Sequence, residues 1–271
     1  MFQFLKLFLI LAFFLSPTVV TTQTLGGVRP QTTAPRKSGV LTAFRAALDI
    51  SHLSGVAADN RYNWDADLLL DADLFDVGMF RGNLLANLET IVGSELRDVD
   101  PNQNNYTADF SIFVRLPRGE LGTTFHHVSR HLSDRKDLGS VSWNMVGVSY
   151  GDRFTLGALR VDAGIRALGT VERAGVDYTA QLEWHGHFTR PINPRISIIA
   201  GLEGVIVPVE KQMMMRNLKK GGVAFGGVRF PTGVGVIDVY VAWERRIDAG
   251  QFSRDIPQWT KSGIRLRTPL P

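Results

Sequence analysis

Three of the chain's six histidines fall within six positions, at His126, His127 and His131, and a serine lies among them. His127 and Ser129 are two residues apart, a spacing that puts both side chains on one face of a β-strand. A serine hydroxyl becomes an effective nucleophile when a neighbouring imidazole takes its proton. That imidazole needs an acceptor that orients it, and the carbonyl of Asn144 can serve. These residue types at this spacing fit acyl transfer by a Ser-His-Asn arrangement.

The elements that must carry these residues are β-strands. From residue 38 onward, apolar and polar residues alternate with period two, and helical periodicity is almost absent. The alternation predicts about twelve strands, an even number, as bacterial outer-membrane barrels require. We therefore expect residues 38–271 to form an all-β, antiparallel up-and-down transmembrane β-barrel. A soluble β-sandwich with its apolar face inward is the alternative that alternation leaves open.

Connections of two kinds alternate along the chain, which favours the barrel over the sandwich. Short turns rich in Gly, Pro, Asn and Asp are predicted at 76–79, 116–119, 150–153, 189–194 and 230–233. Longer polar connections are predicted at 51–62, 93–105, 131–139, 168–176, 208–221 and 246–258. Short turns at one end and long loops at the other are typical of outer-membrane barrels, whose short turns are periplasmic.

Apolar residues indicate which face of the fifth and sixth strands is turned to lipid. Leu121 and Phe125 place the odd face of the fifth strand outward, and Val146 and Val148 place the even face of the sixth outward. Paired residues share a face, so the numbers of two partners must sum to an odd value. The intervening loop is centred near residue 135, so the numbers of two partners should sum to about 270, and 271 is the nearest odd value. This sum pairs Phe125 with Val146 and Leu121 with Tyr150.

The same register brings the candidate catalytic residues together on the outer wall. It pairs His127 with Asn144 and Ser129 with Ser142, at the long-loop end of the barrel, and it turns His126 into the lumen. Polar groups facing lipid are costly, but the cost falls towards the membrane interface. The alternative to a catalytic site is therefore a non-catalytic cluster at the interface.

The inward face carries charges of both signs, which predicts a closed, salt-bridged lumen in a barrel this small. A narrow selective channel is the alternative. His185 and His187 lie beside Glu183 on this face, and packing in the lumen is favoured over metal binding because two histidines lack a third placed ligand. The charged residues are Asp65, Asp67, Asp71, Asp73, Asp109, Asp162, Asp177, Glu183, Asp238, Glu244, Arg45, Arg81, Arg115, Arg160, Arg166, Arg195, Lys261, Arg265 and Arg267.

The N-terminus predicts export. After an uncharged start and Lys6, the apolar run from Leu7 to Leu15 has the length of the hydrophobic region of a secretory signal peptide, and an uncut membrane anchor is the alternative. We expect a signal peptide at 1–23 and a flexible lead-in at 24–37. The chain has no cysteine, which excludes disulfides and Cys-based metal sites, and no basic run that would indicate nucleic-acid binding. These features predict the outer membrane of a Gram-negative-type bacterium.

The histidine stretch resembles an uncharacterised outer-membrane β-barrel family with a Tyr-His-x-Ser-Ser-His-Leu-Gly-Asp motif. This chain has His126-His127-Val-Ser129-Arg-His131-Leu-Ser-Asp134 in that place, and the strand Asp109-Phe-Ser-Ile-Phe-Val-Arg-Leu-Pro before it also looks like the family's. The resemblance implies an outer-membrane barrel with no established activity. It makes His131 and Asp134 motif residues, and both are also explained as a structural loop network with Arg130, Arg135 and Asp137.

The sequence is also similar, more faintly, to outer-membrane phospholipase A and the lipid A deacylases. His127-Val-Ser129 and Ser142-Trp143-Asn144 match their His-x-Ser pair and the phospholipase's Ser-Trp-Asn context. This resemblance implies Ser129 as nucleophile, His127 as base and Asn144 as orienting residue in a carboxylic ester hydrolase. It implies phospholipid or lipopolysaccharide as partner and allows a calcium cofactor and a homodimer. The chain departs from the phospholipase pattern after Ser129, where Arg130-His131 replaces Asn-Gly, and its spacing to the asparagine is longer. A non-catalytic barrel, structural or a narrow channel, remains the alternative.

Overall fold

The computed structural model describes residues 38–55, 60–133, 141–211, 215–249 and 258–268, so the predicted signal peptide, the lead-in and Asp134 lie outside the described residues. Within this part of the chain no helix is long and apolar enough to cross a membrane. The strands are β1 (Gly39–Ser54), β2 (Trp64–Val77), β3 (Phe80–Gly93), β4 (Asp100–Arg115), β5 (Glu120–Leu132), β6 (Val141–Leu156), β7 (Leu159–Ala174), β8 (Ala180–Asn193), β9 (Ile196–Val207), β10 (Lys219–Pro231), β11 (Val236–Arg245) and β12 (Gln258–Arg267).

The strands form one closed antiparallel barrel, which confirms the predicted fold class. Each strand pairs with its sequence neighbours, and β1 pairs with β12 to close the sheet. Period-two alternation produces this arrangement because successive side chains of a strand point to opposite faces of the sheet. On β5, Leu121 and Phe125 are exposed on the outer face, whereas Thr124 and His126 are buried on the inner face.

The short and long connections segregate to opposite ends of the barrel, as predicted, but their positions differ in places. The predicted turn at 150–153 is wrong: these residues lie inside β6 and pair with β7, and the turn follows Leu156. Gly157 has a φ of 60°, a conformation that glycine adopts without steric cost, and so it makes this tight turn possible. At the other end, β4 begins at Asp100 and β7 runs to Ala174, so the connections there are shorter than predicted.

Ion pairs cross the lumen between strands, in agreement with the predicted salt bridges. Arg166 bonds both Asp109, at 2.5 Å, and Glu183, at 2.6 Å, and so ties β7 to β4 and β8. Arg81 bonds Asp73 at 2.8 Å and Glu120 at 2.5 Å, and all of these side chains are buried. A cavity of about 380 Å³ remains in the lumen, lined mainly by the strands from β7 round to β2.

The long-loop end is covered by chain segments that fold inward. Ile247, Asp248 and Ala249 follow β11 and are buried. Arg216 bonds the carboxylates of Asp177 and Asp248, and so connects three separate loops. Burial alone would lower the pKa of Arg216, but hydrogen bonds and the charges of the two aspartates raise it above its ordinary value. We call Asp177, Arg216 and Asp248 the loop clasp.

Tyr178 adds a third contact to the loop clasp. Burial, together with the charge of Asp248, raises the pKa of the Tyr178 hydroxyl, so the hydroxyl stays protonated. It donates a hydrogen bond of 2.7 Å to Asp248, and its ring meets Trp143 edge-on at 5.1 Å between centroids. Trp143 lies on β6 one residue before Asn144, so the clasp packs against the inner side of the strand that carries the candidate site.

Candidate active site

The pairing of β5 with β6 follows the register predicted from parity. Leu121 pairs with Tyr150 and Phe125 with Val146, and the residue numbers of each pair sum to 271. His127 accordingly pairs with Asn144, and this region of the outer wall lies towards the long-loop end. The apolar residues of the two strands thus fix which polar residues meet above them.

His127 and Asn144 are in direct contact. Nδ1 of His127 lies 2.7 Å from Oδ1 of Asn144, and both side chains are half-buried on the outer wall. An amide oxygen only accepts hydrogen bonds, so this contact requires the hydrogen of the imidazole on Nδ1 and leaves Nε2 as a free acceptor. A histidine held in this tautomer can act as a general base through Nε2.

Ser129 lies on the same face, but its hydroxyl is hydrogen-bonded to His131 rather than to His127. Its Oγ is 2.7 Å from Nε2 of His131. The structure places His131 on β5 rather than in the loop that follows, and its ring meets Tyr106 edge-on at 5.6 Å. The serine is thus bracketed by two histidines on its own strand.

A residue that the sequence analysis missed completes the cluster. Nδ2 of Asn144 donates to Oε2 of Glu172 on β7 at 2.9 Å. Strict alternation would not have found Glu172, because the pairing of β6 with β7 shifts by one residue at this point. Val171 and Glu172 are adjacent on β7 and both are exposed, which is a consequence of the same shift.

Polar side chains continue across the outer wall on the other side of Ser129. Thr90 donates to Asn104 at 2.9 Å, and Asn104 donates to Ser133 at 2.8 Å. Below this level the outer wall is apolar again, with Phe125 and Val146 exposed. We call the outward polar residues at this level the outer polar strip; they are Thr90, Asn104, Tyr106, His127, Ser129, His131, Ser133, Ser142, Asn144 and Glu172.

The inner side of β5 is rigid. His126 faces the lumen, as predicted, and its Nδ1 lies 2.5 Å from Asp109, which also bonds Arg166. Val128, the next inward residue, belongs to a buried apolar cluster with Trp143 and Met145 of β6. The backbone that carries His127 and Ser129 is therefore anchored from behind.

Around Ser129 the described residues bring no three histidine, aspartate or glutamate side chains within reach of one cation. The one group of three or more acidic or histidine ligands close enough to hold a metal, among the residues described, is Asp65, Asp67 and Glu89 on β2 and β3. Its carboxylates already bond cations: Asp65 contacts Lys261 at 2.5 Å and Glu89 contacts Arg246 at 2.6 Å. We therefore derive no step through calcium.

The two lumenal histidines are likewise paired individually. His187 lies 2.6 Å from Glu203, and His185 lies 3.4 Å from Asp162. Their rings are tilted against each other with centroids 5.1 Å apart. Each imidazole thus has its own carboxylate, an arrangement that suits lumen packing.

No protein-family model and no curated protein sequence matches the chain. Solved structures do. Outer membrane phospholipase A from Escherichia coli is similar over 88% of this chain and 94% of that chain, with 12% identity and a TM-score of 0.52. An active-site mutant of that enzyme, with an asparagine replaced by alanine, has the same coverage, 11% identity and a TM-score of 0.51. The NanC porin covers 83% of this chain and 100% of its own, with 11% identity and a TM-score of 0.49. At these identities the similarity shows the fold alone, and the chain has the fold of the outer-membrane β-barrels.

Proposed function

We propose that this barrel is an integral outer-membrane protein that hydrolyses acyl esters of lipids at the outer leaflet. Ser129 is the nucleophile, His127 is the general base and Asn144 orients His127. The observation that carries the proposal is the 2.7 Å contact between His127 Nδ1 and Asn144 Oδ1, on the outer wall and two residues from Ser129.

The chemistry requires one local rearrangement. The Ser129 hydroxyl turns from His131 towards His127, a rotation about a single side-chain bond. Oγ then attacks the ester carbonyl carbon while its proton passes to Nε2 of His127. The tetrahedral intermediate collapses, the alcohol of the lipid leaves with that proton, and an acyl-Ser129 remains. Water, deprotonated by the same imidazole, releases the fatty acid and restores the serine.

The location suits a lipid substrate. Phe125 and Val146 form an apolar surface directly below the cluster, where acyl chains of a membrane lipid would lie. The outer polar strip above it would meet the glycerol or glucosamine backbone, where the ester bonds are found. Phospholipid and lipopolysaccharide share this ester chemistry, so both are candidate substrates.

The test is fatty-acid release by protein purified in detergent, with phospholipid and lipid A as substrates, with and without calcium. We expect release by the unaltered protein and a loss of about 10³-fold or more in Ser129→Ala, because the nucleophile is gone. Ser54→Ala is the matched control, since Ser54 is an exposed serine at the same end of the barrel but on β1. Activity that persists in Ser129→Ala, or no release from either lipid under any condition, would refute the proposal.

A second candidate function is a non-catalytic barrel, either a structural element or a narrow channel. The lumenal ion pairs favour the structural element, because they fill the interior with paired side chains. Liposome swelling separates the two, since only a channel admits solutes.

Membrane fractionation and a heat-modifiable gel shift test the outer-membrane location, and chemical crosslinking in vesicles tests the homodimer that the phospholipase resemblance allows.

A further inference from the structure

We propose that Glu172 is a positioning residue that fixes the tautomer of His127 through Asn144. This inference rests on the proposed function for its catalytic consequence, but its structural part stands on the described contacts alone. Three side chains from three consecutive strands form the chain His127, Asn144 and Glu172, with hydrogen bonds of 2.7 Å and 2.9 Å.

The donor and acceptor rules make the chain directional. An asparagine amide can turn over, exchanging its oxygen for its nitrogen, and either orientation could face an imidazole. A carboxylate only accepts hydrogen bonds, so Glu172 requires the amide nitrogen of Asn144 on its own side. The amide oxygen must then face His127, whose Nδ1 must carry the hydrogen. Glu172 thus selects the tautomer in which Nε2 is free to accept a proton.

The backbone of β7 is shaped to supply this carboxylate. From the turn up to the pair Met145 and Thr170, the residue numbers of paired residues on β6 and β7 sum to 315. The next pair, Asn144 and Glu172, sums to one more, so the register shifts by one residue there. Val171 is the extra residue of a β-bulge. In a regular ladder Val171 would oppose Asn144, and Glu172 would point into the lumen. The bulge turns Glu172 outward at the one position where Asn144 can reach it.

The charge of Glu172 adds to its effect on geometry. When His127 takes the proton of Ser129 it becomes an imidazolium, and a carboxylate one amide away stabilises that cation. The aspartate of a serine hydrolase triad combines the same two effects by direct contact. Here the two effects are divided, with Asn144 in contact and Glu172 behind it.

The experiment measures the tautomer and the kinetics separately. Protein labelled with ¹⁵N-histidine is examined by NMR in detergent at about pH 8, where ordinary imidazoles are neutral, and the His127 signals are identified by their loss in His127→Gln. We expect the Nδ1–H tautomer in the unaltered protein and a mixture of tautomers in Glu172→Ala. For lipid hydrolysis we expect kcat to fall about ten- to a hundredfold in Glu172→Ala, with KM unchanged, as for other residues that orient a functional histidine.

Two further variants sharpen the result. Glu172→Gln keeps an acceptor oxygen for Asn144 but adds a donor and removes the charge, so it selects the tautomer less strictly. It should fall between the unaltered protein and Glu172→Ala in both readouts. Glu210→Ala is the control, because Glu210 is an exposed carboxylate that bonds Arg173, the neighbour of Glu172, and lies outside the cluster. It should change neither readout.

The outcomes distinguish this inference from the proposed function. An Nε2–H tautomer in the unaltered protein, or a tautomer and kcat unaffected by Glu172→Ala, overturns the inference, even if Ser129→Ala abolishes hydrolysis. A tautomer that changes in Glu172→Ala in a protein without esterase activity supports the positioning role and rejects the proposed function.

Discussion

Two imidazoles compete for one hydroxyl at the candidate site. His131 is exposed and holds the Ser129 hydroxyl at 2.7 Å, whereas His127 is half-buried and held by Asn144. A base must present a free nitrogen in a fixed direction, and among the described residues an orienting acceptor contacts His127 but not His131. We therefore interpret the bond between Ser129 and His131 as the resting contact that substrate binding breaks.

This interpretation makes opposite predictions for the two histidines. His127→Ala should lower kcat by about 10²- to 10⁴-fold, the usual contribution of a general base. His131→Ala should stay within about threefold of the unaltered protein, or exceed it, because the hydroxyl of Ser129 is released. Initial rates of fatty-acid release measure both. A loss in His131→Ala as deep as that in Ser129→Ala would make His131 the base instead.

At the scale of strands, much of the arrangement could be predicted, because the alternation of apolar and polar residues indicates which face of the sheet each side chain takes. Leu121, Phe125, Val146 and Val148 set the parity of the register of β5 and β6, since a slip of one residue would turn every side chain to the other face. The centre of the loop between the strands then selected one register of that parity. That register led directly to the pairing of His127 with Asn144. The strand count follows from the same periodicity repeated along the chain, and the alternation of short turns with long loops favoured the closed barrel over a sandwich.

The remaining features could not be predicted because they break periodicity or lie outside it. The bulge at Val171 changes the face of Glu172 without any signal in the local composition. The contact between Ser129 and His131 depends on side-chain rotation, which a pattern of faces does not specify. Gly151 and Asp152 look like a turn, yet they lie inside β6 because the hairpin closes farther along at Gly157. The loop clasp has no periodicity at all.

Arg166 on β7 is a buried arginine whose replacement should destabilise the barrel. Arg166→Met should lower the free energy of unfolding by roughly 3–5 kcal/mol, because the buried carboxylates of Asp109 and Glu183 would lose the arginine that they share. The heat-modifiable gel shift, followed against temperature in detergent, measures the loss. Arg160→Met, an exposed arginine of the same strand, is the control and should melt like the unaltered barrel. Equal melting of the two variants would show that the buried pairs do not stabilise the barrel.

At the scale of the whole molecule, we predict that the loop clasp and the buried segment from Ile247 to Ala249 keep the barrel from conducting ions. We expect little current from the unaltered protein in planar bilayers. Arg216→Ala should raise the frequency of openings severalfold, because Asp177 and Asp248 would repel each other once their shared cation is removed. Lys211→Ala, which removes an exposed charge from the same connection, should have no effect. Identical recordings from both variants would mean that the clasp does not close the lumen.

The outer polar strip has a consequence for the membrane itself. Measured along the strand, the outward apolar residues of β1 run from Val40 to Ile50, about 34 Å at roughly 3.4 Å per residue, whereas those of β5 run only from Leu121 to Phe125, about 14 Å. At a strand tilt of about 40°, these lengths correspond to about 26 Å and about 10 Å of height across the membrane. The apolar band of such barrels is about 25 Å tall. A bilayer accommodates a short apolar wall by thinning. In the outer membrane proposed for this chain, the leaflet beside β5 would dip, so that head groups and water descend to the serine and a lipid needs no extraction to present its ester bond.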